Sequence, residues 1–134
     1  MPIKYREGFK YQLAEDYAVI VPIFRFDVGT DYIELDPTGR LFIRKGYAWD
    51  GPSGPTVDTP SFMRGALIHD SLYQLIRLEL LPPGFKEVAD RILKRICIED
   101  GMNRLRAWYV YHAVSKFAGF AASPKNKKKI LTAP

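Results

Sequence analysis

The chain has 134 residues, 47% of them hydrophobic and 13% aromatic, which is enough apolar material for one core and too little length for two domains. Its longest apolar stretches, Tyr17 to Phe24 and Ala66 to Ile68, stop far short of the roughly 20 residues a membrane-crossing helix needs, and no apolar signal stretch follows Lys4 and Arg6. The net charge of +5 gathers at Lys125 and Lys127 to Lys129, a run that no nucleic-acid-reading motif accompanies; a solvated basic tail is expected, and nucleic acid is not an expected partner.

Residues 1 to 48 read as β structure. Alternation and β-branched or aromatic residues mark strands at Tyr17 to Val21, Ile23 to Phe26, Tyr32 to Leu35 and Leu41 to Arg44. Turns are expected at Asp27-Val-Gly29 and Asp36-Pro-Thr-Gly39, the second joining two short strands as a hairpin. Residues 49 to 59 carry Gly51, Pro52, Gly54 and Pro55 beside Trp49, which predicts an ordered loop rather than a regular element or a linker.

Thr59-Pro60 places a capping residue before a first-turn proline and opens the first of three helices. Apolar spacing sets these at about Pro60 to Leu78, Phe85 to Asp100 and Asn103 to Phe117, with the basic tail from residue 120. Leu81-Pro82-Pro83-Gly84 separates the first two and Gly101 ends the second, so successive helices are expected to lie antiparallel and touching. The fold class is α+β in one domain, an antiparallel sheet or hairpins followed by three helices. Cys97, the single cysteine, falls in an apolar pattern with Ile92, Leu93 and Ile96 and is expected to pack.

His69 and Tyr73, four apart, share a face of the first helix, while Asp70 is turned by about 100°. His69 stands at the edge of the stripe Ile68, Leu72, Leu75 and Ile76. Asp90 lies among Val88, Ala89, Ile92 and Leu93, where an unpaired carboxylate is costly. Antiparallel pairing sets it level with His69 or Tyr73, which suggests a relay: Asp90 fixes the imidazole tautomer, His69 takes a proton from water, and Tyr73 steadies the carboxylate. The plain alternatives are a core-edge His69 bonded to a backbone carbonyl, and an Asp90 paired with Arg91, Lys94 or another surface base. Asp70 beside the base suits a hard cation that polarises a carbonyl, and carbonyls of the Trp49 to Gly54 loop, with Asp50 or Asp58, are further oxygens for calcium. Zinc is disfavoured, because His69 and His112 are the only histidines.

A glycine-rich loop, then His-Asp-x-x-Tyr on a helix, then an aspartate on an antiparallel helix resembles phospholipase A2, most closely the compact, disulfide-free form in parvovirus capsid proteins. There a Tyr-x-Gly-Pro-Gly loop precedes a proline-rich stretch and the same helix pair. The likeness spans residues 46 to 117. It implies His69 as general base, Tyr73 and Asp90 as its supporting pair, and calcium held by Asp70 and the carbonyls of Trp49, Gly51 and Ser53. Ser53 stands where that pattern has glycine, and the β-rich first third has no counterpart. Separately, Lys45 to Pro60 with the following His-Asp resembles a family of unknown function common in tailed bacteriophages and prophages.

Two functions follow as expectations. The first is a calcium-dependent, phospholipase A2-like ester hydrolase of a bacteriophage acting at a phospholipid or membrane surface, with Phe62, Met63, Trp108 and the aromatic residues of the N-terminal strands at a greasy entrance and the basic tail favouring anionic lipid. The second is a non-enzymatic virion protein of the tail or tail tip, whose partners are other virion proteins. Synthesis in the host cytoplasm is expected for both, with incorporation into a virion in the second.

Overall fold

The computed structural model describes residues 5–6, 11–49 and 60–121. The loop from Asp50 to Thr59 and the lysine run therefore lie outside the described residues. The described parts fall into two compact units, the strands up to Trp49 and the helices from Pro60, in an α+β arrangement.

The strand unit holds β1 (Tyr5–Arg6), β2 (Tyr11–Leu13), β3 (Tyr17–Ile20), β4 (Val28–Gly29), β5 (Ile33–Leu35), β6 (Arg40–Ile43) and β7 (Ala48–Trp49). They form two antiparallel sheets, ordered β1-β2-β7 and β3-β6-β5-β4. Period-two alternation builds this core: Ile33, Leu35, Leu41 and Ile43 are each at most 1% exposed, while Glu34 and Arg40 face outward. On the outer face Glu34 pairs with Arg44, and the Arg40 and Arg44 guanidinium carbons lie 5.0 and 5.3 Å from the Phe42 ring centre.

The expected hairpin is present between β5 and β6. Asp36 accepts from the Thr38 backbone and hydroxyl and from the Arg40 backbone. Those bonds, the Thr38 hydroxyl's first, hold its carboxyl below the usual range. Gly39 takes φ +88°, and a Cβ there would stand 2.4 Å from the Val21 carbonyl, so glycine is required on two counts.

Two expectations for this unit are corrected. Ile23 to Phe26 is not a strand, because Arg25 takes φ 72° and its backbone N–H donates to the Pro37 carbonyl. Val28–Gly29, read as a turn, is strand β4, and the turn follows it, where the Thr30 hydroxyl accepts the Tyr32 and Ile33 N–H groups. Trp49 is a core anchor at 2% exposure, its ring stacked on Tyr47 and tilted against Tyr11.

The helical unit holds α1 (Pro60–Arg77), α2 (Phe85–Glu99) and α3 (Arg104–Ala121), with α1 packed on α2 and α2 on α3. Both interhelical turns close the preceding helix in the same way. After α2, Gly101 at φ +106° donates to the Ile98 carbonyl and Met102 to that of Cys97. After α1, Glu79 at φ 63° donates to Ile76 and Leu80 to Leu75, a left-handed position filled without glycine.

Helices α1 and α2 approach closely at Gly65, where a Cβ would lie 2.9 Å from Leu93 Cδ1 and 3.1 Å from Cys97 Sγ. A cluster of Phe62, Leu93, Cys97, Met102, Ala107 and Val110 joins all three helices. Burial raises the Cys97 thiol to about 12, so it packs as an inert apolar group, as expected. Phe62 and Met63, at 2% and 3% exposure, are core residues, which removes them from the greasy entrance read from the sequence. Arg64 forks onto Asp100 and Glu99 at 3.0 Å each, tying the start of α1 to the end of α2.

Candidate functional site

Asp90 is fully buried in the middle of α2 and gathers partners from all three helices. Its Oδ1 lies 2.7 Å from His69 Nε2 and accepts the Tyr73 hydroxyl at 2.5 Å, both from α1. Its Oδ2 accepts the Ser115 hydroxyl of α3 at 3.0 Å and stands 3.5 Å from Lys86 Nζ, one turn back on α2. Lys86 also reaches the Ser115 carbonyl at 3.5 Å, closing the ring of contacts between α2 and α3.

Local sequence explains the arrangement. His69 and Tyr73 are one turn apart, so their side chains meet the same point on α2, and their ring centres lie 4.1 Å apart. The short connection after Arg77 runs α2 back along α1 and brings Asp90 level with that pair. Of the plain alternatives, the one for His69 is set aside, since it bonds a carboxylate; the one for Asp90 holds in part, since a surface base, Lys86, stands beside it together with His69, Tyr73 and Ser115, while Arg91 pairs with Glu87 at 2.7 Å.

The electrostatics are decided by what surrounds the carboxylate. Burial alone would raise the Asp90 carboxyl, but the hydrogen bond and charge of His69, with the bonds from Tyr73 and Ser115, outweigh it and hold the group below its ordinary value. Asp90 is therefore ionised at neutral pH. Tyr73 is shifted far upward, by burial first and by its bond to Asp90 second, so its hydroxyl keeps its proton and remains a donor.

An ionised carboxylate at 2.7 Å from Nε2 accepts a hydrogen bond and cannot donate one, which assigns the ring proton to Nε2. In the neutral imidazole the lone pair then sits on Nδ1. His69 is buried, with 9% of its surface exposed.

No protein-family model matches this chain, nor does any curated protein or solved structure. What the site can do therefore rests on its own geometry. A fixed tautomer, a buried anion behind it and a locked donor steadying that anion make a unit able to take a proton from water and hold the resulting imidazolium.

The expected metal ligands divide. Asp70 follows His69 and is half-buried, and its oxygen chemistry suits calcium. Trp49 lies in β7, while Gly51 and Ser53 lie outside the described residues, as do Asp50 and Asp58. Among the described residues no three or more His, Cys, Asp or Glu side chains gather as a metal cage.

Lys86 and Ser115 were not among the residues singled out from the sequence. Lys86 was legible, since it stands four residues before Asp90 on one helix. Ser115 was not, because its meeting with Asp90 depends on the rotation of α3 against α2.

Proposed function

We propose that the protein is a phospholipase A2-like ester hydrolase in which His69 activates water. The observation that supports it is the 2.7 Å bond from His69 Nε2 to a buried carboxylate that Tyr73 and Ser115 also hold, leaving Nδ1 as the base. Water bound at Nδ1 gives up a proton as its oxygen attacks the ester carbonyl. The tetrahedral intermediate collapses with the proton returned from His69 to the leaving alkoxide, and Asp90 stabilises the imidazolium between the two transfers. Tyr73 positions Asp90 without touching substrate.

Calcium is the cofactor of this reading; Asp70 would be its ligand on the helical unit, and the ion would supply polarisation of the ester carbonyl. Calorimetric calcium titration of the wild type and of Asp70→Asn, with a phospholipid mixed-micelle assay in calcium and in chelator, tests it. Binding lost in the variant together with calcium-dependent release of fatty acid supports the proposal; fatty acid release unchanged by chelator removes calcium from it.

A second reading, a phage virion component, is favoured by a different observation. Ile20 and Phe24 stand 58% and 53% exposed in the strand unit, Ile20 on β3 at the edge of its sheet. An open edge with apolar side chains is suited to pairing with another chain. Particle assembly that is lost on Ile20→Lys and kept on His69→Ala would carry this reading over the first.

A further inference from the structure

Three of the five large apolar side chains that stand exposed among the described residues lie on one helix: Leu105 at 77%, Trp108 at 52% and Tyr109 at 48%. With His112 and Lys116, also exposed, they follow the spacing of a single helical face. At about 100° per residue this stripe points directly away from Ala107, Val110 and Val114, which pack into the core on the other side of α3. Helix α3 is thus apolar on two opposite faces, and its own unit uses one.

The stripe is organised rather than scattered. The Trp108 and His112 rings are 4.5 Å apart and the Tyr111 and His112 rings 5.1 Å, one aromatic ledge along the helix. Basic side chains stand at its ends, Arg104 before it and Lys116 after it, both exposed. From Arg104 to Ala121 the helix carries Arg104, Arg106 and Lys116 and no aspartate or glutamate.

Charge decides the occupant. Two copies packing these faces about a two-fold axis would centre at the level of Val110 and set Lys116 of each at the level of Arg104 of the other, like charge near like charge. A surface of anionic headgroups over an apolar interior is complementary instead. Trp108 and Tyr109 are amphipathic rings suited to the headgroup boundary, and long basic side chains at both ends reach the phosphates. No helix among the described residues is long and apolar enough to cross a membrane, so the contact is one of lying on the surface.

We infer that the Leu105, Trp108, Tyr109 and His112 face of α3 is a docking surface for an anionic lipid bilayer. This deepens the reading of a protein that acts at a phospholipid surface and is measurable apart from hydrolysis, because binding to vesicles requires no turnover.

The test is co-sedimentation of the full chain with vesicles of phosphatidylcholine alone and of phosphatidylcholine with phosphatidylglycerol, at low and high salt. Wild type and His69→Asn should both bind the anionic vesicles, more weakly in salt. Leu105→Ser/Trp108→Ser, at exposed positions and with an unchanged circular dichroism spectrum, should lose at least about tenfold in affinity. Arg104→Glu/Lys116→Glu should remove the preference for phosphatidylglycerol. Binding that survives both double variants and disappears when Lys125 and Lys127 to Lys129 are changed to glutamine would overturn the inference in favour of the tail. A wild-type dimer in light scattering that Leu105→Ser/Trp108→Ser dissociates would overturn it in favour of self-association. Loss of docking in the stripe variant, with hydrolysis of a soluble short-chain ester retained, would leave the His69 reading intact, and the reverse result would leave docking intact.

Discussion

Replacing Asp90 by alanine removes the shared acceptor of three donors at once. His69 Nε2, the Tyr73 hydroxyl and the Ser115 hydroxyl all end on its two oxygens, and Tyr73, at 2% exposure, has little access to water in exchange. Lys86, 3.5 Å away, loses its anion as well. Removing one partner of a buried pair costs about 3–5 kcal/mol. With a urea slope of about 2 kcal/mol/M, the unfolding midpoint should fall by roughly 2 M. Asp90→Asn keeps the size and one acceptor oxygen for His69 and Tyr73 but turns amide hydrogens toward Lys86, so its loss should be smaller, about 1.5–3 kcal/mol. The acid dependence carries the same signature. Because the folded carboxyl lies below its ordinary value of 3.8, its contribution is complete above that value and disappears as pH falls through the lower folded one. The stability gap between wild type and Asp90→Asn should therefore close in acid. An alanine variant that loses under about 1 kcal/mol, the worth of an ordinary neutral hydrogen bond, would refute the reasoning. So would a gap that does not narrow in acid.

Tyr73→Phe should retain the fold, lower the hydrolysis rate of the proposed reaction and raise the pH at which Asp90 titrates, readable by carboxyl carbon NMR. Glu79→Gly should raise stability by about 0.5–1 kcal/mol, since the left-handed backbone at φ 63° strains a side chain that stands exposed; equilibrium urea unfolding measures it. Gly65→Ala should lower stability by about 1–2 kcal/mol, the added methyl meeting Leu93 and Cys97 at about 3 Å and outweighing the gain in helix propensity.

Much of the helical unit was legible because its signals are local. The proline after Thr59, the break at Leu81 to Gly84 and the glycine at 101 set three helices whose ends lie within a few residues of those expected. The level of Asp90 against His69 and Tyr73 followed from one short connection between antiparallel helices. What escaped was set by contacts distant in sequence. Arg25 leaves the extended region because its N–H finds the Pro37 carbonyl, which no local pattern at Ile23 to Phe26 announces. Trp108 and Phe62 look alike in hydropathy, yet one is half exposed and the other buried, a difference set by the rotation of each helix against its neighbours. Glu79 closes α1 in a conformation that sequence normally marks with glycine, so the turn had no written sign.

In the proposed reaction His69 acts as a base with Asp90 behind it. Release of fatty acid from phospholipid mixed micelles by the wild type, by His69→Ala and by Asp90→Asn, each confirmed folded by circular dichroism, tests this most directly. Loss of about 100-fold or more in His69→Ala, with a smaller loss in Asp90→Asn, is the predicted result. Hydrolysis by the wild type that persists undiminished in folded His69→Ala would contradict it, as would a folded wild type with no esterase activity.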